Sequence, residues 1–268
     1  MLSKVLIVAV DDYQNVRPLN GCLRDAEDIF ETLVQSAGYD PRNIRYLAND
    51  LATRQNIMEG LKWLAGSENA LCYFAGHGTL TSDRRPALVP YDFPSTPETW
   101  NELIDDKTIE ACLGDISGVI IYDCCHSGSL GAGDKGLANR SLGPESAERF
   151  LPNPNLEPEA AVDMSDRQLG GGLEADQHLS RSSFIYLGGC RDCETSKEIY
   201  INSRPRGVFS YNLCRHLRDD PRVGVADLWR KASQSVGEFL KKHGGSGQHP
   251  QLWCRQEHLD KTILGEPS

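Results

Sequence analysis

At 268 residues with a formal net charge of −10, the chain can bury a full core without disulfides or metals, and it lacks the basic stripe that nucleic-acid backbones require. Its nine cysteines are odd in number and mostly sit inside apolar patterns, which reads as reduced thiols in a cytosol-like compartment. No window approaches a membrane-spanning length, and the apolar run at residues 5–10 is too short for a secretory core; a cytoplasmic protein with no nucleic-acid or membrane partner is expected.

Along the chain, the β-branched run at residues 4–10 predicts a strand. A loop follows, and then Cys22, Ala26, Ile29, Phe30, Leu33 and Val34 recur at helical spacing. The pattern repeats with a strand at 44–47, a helix capped by Thr53 and carrying Ile57, Leu61 and Leu64, and a strand at 70–75. Asp105 or Asp106 opens a further helix through Ile109 and Leu113, and a strand follows at 119–122. Strands alternating with helices imply an α/β fold with a parallel, covered sheet. In such sheets ligands bind beyond the carboxyl ends of the strands. Residues 129–182 break the pattern with Gly131, Gly133, Gly136, Pro152, Pro154, Pro158 and the Gly170-Gly171-Gly172 run. They read as a long, mobile, accessible loop. Regular structure resumes with a strand at 184–187 and helices at 208–217 and 225–240. The loop therefore interrupts one domain, residues 1–268, between a larger part (1–128) and a smaller one (183–268).

Two stretches carry the chemistry. Tyr122-Asp123-Cys124-Cys125-His126-Ser127-Gly128 closes an apolar strand with a thiol, and Phe74-Ala75-Gly76-His77-Gly78 closes another with an imidazole between glycines. Cys is a nucleophile only as thiolate, which a nearby imidazole can supply, so Cys125 and His77 on two strand ends make a nucleophile and its base. Adjacent side chains on a strand face opposite ways, so only one of Cys124 and Cys125 can point at His77. The residues after Cys125 suit a tight turn whose amides could face an oxyanion. Cys190 and Cys193 have Cys-x-x-Cys spacing, but with no second pair they read as packing.

These two motifs resemble the catalytic signatures of the metacaspases, the caspase-like cysteine peptidases of non-animal organisms. Weaker matches fall in the same order: Leu19-Asn20-Gly21-Cys22-Leu23-Arg24-Asp25-Ala26, Leu88-Val89-Pro90-Tyr91-Asp92, Ile104-Asp105-Asp106, Gly189-Cys190-Arg191-Asp192-Cys193-Glu194-Thr195-Ser196 and His249-Pro250-Gln251-Leu252. The resemblance implies a caspase-like fold, a mostly parallel sheet of about six strands with helices on both faces, in which Cys125 attacks a peptide carbonyl, His77 moves the proton with no obligatory third triad member, and Gly78 and Cys125 hold the oxyanion. It also implies that Asp25, Asp123 and Cys22 line the substrate pocket. Asp123 lies two residues before Cys125 and so shares its face. Two carboxylates would select protein substrates with Arg or Lys before the scissile bond. Ala75 stands where the family often has Ser.

The resemblance further implies self-cleavage within the loop, at Lys135, Arg140, Arg149 or Arg167, and a monomer. No cofactor is required; calcium is a possible activator through Asp105 and Asp106, although Arg85 replaces an expected acid and both aspartates serve equally as helix caps. The rival readings are a catalytically silent scaffold of the same fold and a caspase-like peptidase with acidic specificity.

Overall fold

The computed structural model describes residues 3–83, 85–114, 116–125, 147–156, 183–191 and 194–263. Five parallel strands form most of the central sheet: β1 (Ser3–Ala9), β2 (Ile44–Ala48), β3 (Asn69–Ala75), β7 (Ser117–Asp123) and β9 (Phe184–Gly188). The sixth, β12 (Gln251–Trp253), runs antiparallel at one edge, in the order β12-β9-β7-β3-β1-β2.

The apolar runs of β1, β3 and β7 are continuous because both faces are covered. Along β1, Val5, Ile7 and Ala9 enter one core while Leu6, Val8 and Val10 enter the other. The first core receives Ile29 of α1 (Cys22–Glu31), Leu213 and Leu217 of α4 (Val208–Asp219) and Leu228 of α5 (Val225–Lys242). The second receives Ile57, Leu61 and Leu64 of α2 (Arg54–Leu64) and Ile109 and Leu113 of α3 (Asp106–Leu113). The expected sheet with helices on both faces is therefore observed.

Two three-stranded sheets sit at the carboxyl end of the central one. The first joins β4 (Gly78–Leu80), β5 (Pro86–Leu88) and β6 (Ile104–Asp105); the second joins β8 (Ala147–Glu148), β10 (Lys197–Ile201) and β11 (Arg204–Gly207). Neither follows from the sequence pattern. Strand β8 lies within the loop expected at 129–182 and corrects the expected accessibility for residues 147–156; residues 129–146 and 157–182 lie outside the described residues. Residues 147–156 are ordered against the cleft, with Arg149 fully buried and Phe150 only 5% exposed. Burial of an arginine requires charge partners, and the fold supplies three.

Candidate active site

Register places the two motifs together. Ala75 of β3 is paired with Asp123 of β7, so His77 and Cys125 each follow two residues beyond matched positions on neighbouring strands. Cys124, between Asp123 and Cys125, points into the second core, as alternation requires. His126, Ser127 and Gly128 lie outside the described residues.

Gly78 opens β4 by crossing the backbone of Cys125. A Cβ at Gly78 would lie 2.0 Å from the Cys125 carbonyl oxygen, so only glycine fits this crossing. The approach brings two N–H groups onto one atom: Gly78 N–H and Cys125 N–H donate to the carbonyl oxygen of Arg149 at 2.9 and 3.1 Å. Two convergent amides on one carbonyl beside a thiol have the geometry an oxyanion site needs, because such donors bind more strongly as negative charge develops on the oxygen.

His77 is fully buried. Its main-chain N–H donates to the Tyr13 hydroxyl at 2.6 Å, and its Nε2 lies 2.9 Å from the Arg17 carbonyl oxygen. A carbonyl only accepts, so Nε2 carries the hydrogen and Nδ1 keeps a lone pair. Nδ1 is buried without a hydrogen-bond partner among the described residues. Burial drives the imidazole pKa down to about 4; the bond to Arg17 pulls it up, and the Arg17 and Arg149 charges add to the fall. The imidazole is thus neutral near pH 7, with the Nδ1 lone pair able to accept a proton. The Cys125 sulfur does not engage it: Ser196 N–H donates to Sγ at 2.6 Å, and the thiol reaches the Ser196 carbonyl at 3.6 Å.

The pocket beside this pair holds the Arg149 side chain. Its guanidinium meets Asp25 at 2.5 Å, Asp123 at 3.0 Å and Glu198 at 3.0 Å. Each acid is fixed by other donors. Asp25 accepts the Gly207 N–H at 2.7 Å, and Asp123 accepts the Ser196 and Ser210 hydroxyls, each at 2.5 Å. Glu198 accepts the Gly21 and Asn20 N–H groups at 2.9 and 3.1 Å. Burial, followed among the raising causes by the Asp123 charge, pushes the Asp25 carboxyl above its ordinary value, and the Arg149 guanidinium opposes the rise. Burial opposes the Arg149 charge, but Asp123, then Cys22, Asp25 and Glu198 outweigh it and hold its pKa well above the ordinary value. Gly207 forms the wall: a Cβ there would come within 2.5 Å of Asp123 and 2.9 Å of the guanidinium.

Cys22 joins the pocket through a 3.5 Å contact of Sγ with Glu198. Asp11, Cys22 and Glu198 bring ligand-type atoms within 4.8 Å of one another. These acids already accept backbone N–H groups, with Asp11 bound to the Cys22 amide at 2.8 Å, and a guanidinium lies among them. The donor set fits an arginine rather than a metal. Asp105 caps α3 through the Thr108 N–H at 2.9 Å and is ion-paired to Arg85, and Asp106 accepts the Lys107 N–H at 2.9 Å. With a cation already on Asp105, this pair does not fit calcium. Lys135, Arg140 and Arg167 lie outside the described residues.

Sequence reasoning missed Glu198, Arg17 and Gly207. Glu198 stands in a short alternating run, Lys197-Glu198-Ile199-Tyr200-Ile201, where an acid reads as solvent-facing. Arg17 acts through its carbonyl, which side-chain chemistry does not reveal.

Residues 2–261 match the caspase domain family model, and the chain belongs to the caspase domain family. It is 23% identical over 293 residues to Metacaspase-1 of Yarrowia lipolytica, covering 92% of this chain and 62% of that protein. With Metacaspase-1 of Schizosaccharomyces pombe it shares 24% identity over 297 residues, covering 94% and 67%. The chain spans under two thirds of the length of the Yarrowia relative. Protein GSU0716 from Geobacter sulfurreducens, a solved structure, superposes with a TM-score of 0.66 at 16% identity over 99% of both chains, a likeness of fold. The resemblance to metacaspases carried by the two motifs is borne out by these matches.

Proposed function

We propose that the chain is a cysteine endopeptidase that cleaves after arginine, accepts lysine less well, and processes itself between Arg149 and Phe150. The observation that carries this reading is Arg149 itself, with its side chain on three carboxylates and its carbonyl oxygen on the Gly78 and Cys125 amides. A residue held at both ends in this way is bound as a substrate is bound before cleavage.

In this mechanism the Cys125 side chain rotates from Ser196 towards the Arg149 carbonyl and gives its proton to Nδ1 of His77. The sulfur bonds to the carbonyl carbon, and the oxygen takes the electron pair under the two amides. The imidazolium then protonates the Phe150 nitrogen, the C–N bond breaks, and a thioester remains on Cys125. Water, losing a proton to His77, attacks the thioester and restores the thiol. The Arg17 carbonyl stabilises the imidazolium and orients the ring. This reading keeps the chain monomeric and gives calcium no step.

The fit of arginine over lysine follows from shape. A guanidinium reaches Asp25, Asp123 and Glu198 with separate N–H groups, whereas an ammonium is a single point charge. Fluorogenic peptides ending in Arg, Lys or Asp, tested on wild type and Cys125→Ala, decide the matter. The expected order is Arg above Lys with no Asp cleavage and no activity in the variant; Asp-only cleavage, or Arg cleavage that survives Cys125→Ala, refutes it.

A further inference from the structure

Resting on the reading of Arg149 as the residue before the cut, we infer that the enzyme also reads the residues after it, through an apolar two-residue groove that selects a large aromatic side chain followed by an aliphatic one. Beyond Arg149 the chain changes partner. Ala147 and Glu148 pair antiparallel with β10, but Phe150 forms a parallel bridge to Gly78 of β4. Leu151 N–H donates to the Gly78 carbonyl at 2.9 Å, the Thr79 hydroxyl donates to the Leu151 carbonyl at 2.6 Å, and Asn153 Nδ2 donates to the Leu80 carbonyl at 2.9 Å. This is strand addition to β4, in which the main chain supplies affinity and the side-chain pockets supply selectivity.

The pockets are apolar. Phe150 clusters with Cys125 and Cys190, so the first subsite after the bond is built against the nucleophile itself. Leu151 lies against a separate cluster of Ala87, Val89, Phe93, Trp100 and Leu103, which walls the groove. Arg17 ties the two sides of the bond together. Its Nη2 donates to the carbonyl oxygens of Glu148 and Phe150, each at 2.9 Å, and so clamps the chain on either side of Arg149. Once the bond is cut and the segment departs, the same groove is open to a second chain. The preferred partner is a flexible protein segment with Arg followed by Phe and Leu or residues of that size.

Wild-type protein is assayed with three substrates: internally quenched Ala-Glu-Arg-Phe-Leu-Pro-Asn, the same peptide with Asp-Gly replacing Phe-Leu, and Ala-Glu-Arg joined to aminomethylcoumarin. Burying the two apolar side chains predicts kcat/KM at least about tenfold higher for the Phe-Leu peptide than for the Asp-Gly peptide. Free Phe-Leu-Pro-Asn is expected to inhibit the coumarin reaction. Equal rates for the two peptides, with the coumarin substrate still cleaved, overturn the groove inference and leave the Arg reading standing. Failure to cleave all three overturns the Arg reading and the groove inference with it.

Discussion

Replacing Arg149 by Gln tests the charge balance of the buried pocket. Its guanidinium is fully buried and ion-paired to Asp25, Asp123 and Glu198 at 2.5, 3.0 and 3.0 Å. Removing the one cation leaves a surplus of buried negative charge, and loss of one partner of a buried pair costs about 3–5 kcal/mol when the site stays closed. The lower figure applies because the glutamine amide can still donate hydrogen bonds to the acids. About 3 kcal/mol corresponds to a fall in Tm of roughly 6–12 °C for a domain of this size. The comparison uses Cys125→Ala as background, so that self-cleavage does not change the sample, and adds Arg149→Gln to it. Differential scanning calorimetry reads the shift. Arg149→Lys in the same background is expected to lie between the two, since an ammonium keeps the charge but cannot reach three acids. A Tm for the Gln variant within 1–2 °C of the background would mean that the three carboxylates do not depend on Arg149, and the reasoning about the pocket would fail.

Three further outcomes follow from the site. Glu198→Gln removes one charge-assisted contact to the guanidinium, and kcat/KM for Arg substrates should fall by about tenfold or more. The loss for Lys substrates should be smaller; equal losses would place Glu198 outside the recognition of the fork. Gly78→Ala drives a Cβ into the Cys125 carbonyl and separates the two amides, so kcat should fall about 10²–10³-fold with a lesser change in KM; a normal kcat would remove Gly78 from the oxyanion site. For His77, the folded imidazole titrates near 4 against an ordinary 6.5. Between those values the unfolded chain holds the extra proton, so the stability tied to the neutral ring is fully present above pH 6.5. It is lost as pH falls to 4, by about 3 kcal/mol. Urea titrations of Cys125→Ala across that range should show the decline, and adding His77→Gln should flatten it; an unchanged slope would refute the buried neutral ring.

How much of this was legible in the sequence depended on burial. Strands β1, β3 and β7 are apolar on both faces, and β3 and β7 end in matched register two residues before His77 and Cys125, so the strands and the placing of these two residues beyond neighbouring strand ends could be read directly. The β10–β11 hairpin could not. It turns through Asn202 and Ser203, both at positive φ (53° and 63°), where the usual signal of such a turn is Asn-Gly. Because that hairpin was invisible, Glu198 and Gly207 could not be assigned to the pocket. The sequence pattern marks Arg149 as a cleavage candidate within a stretch whose composition reads as an exposed loop. Its burial rests on acids 124 and 26 residues before it and 49 after it, a conjunction that local pattern does not carry. Asp25 and Asp123 came from motif likeness and strand alternation, and both meet the guanidinium.

The central claim is that Cys125 acts on the carbonyl held by the Gly78 and Cys125 amides. Its most direct test is the mass and N-terminal sequence of the smaller fragment formed on incubating the wild-type chain. The account predicts a fragment beginning at Phe150 and no such fragment from Cys125→Ala. A chain left intact at Arg149–Phe150, or the same fragment released by the Cys125→Ala variant, would contradict it.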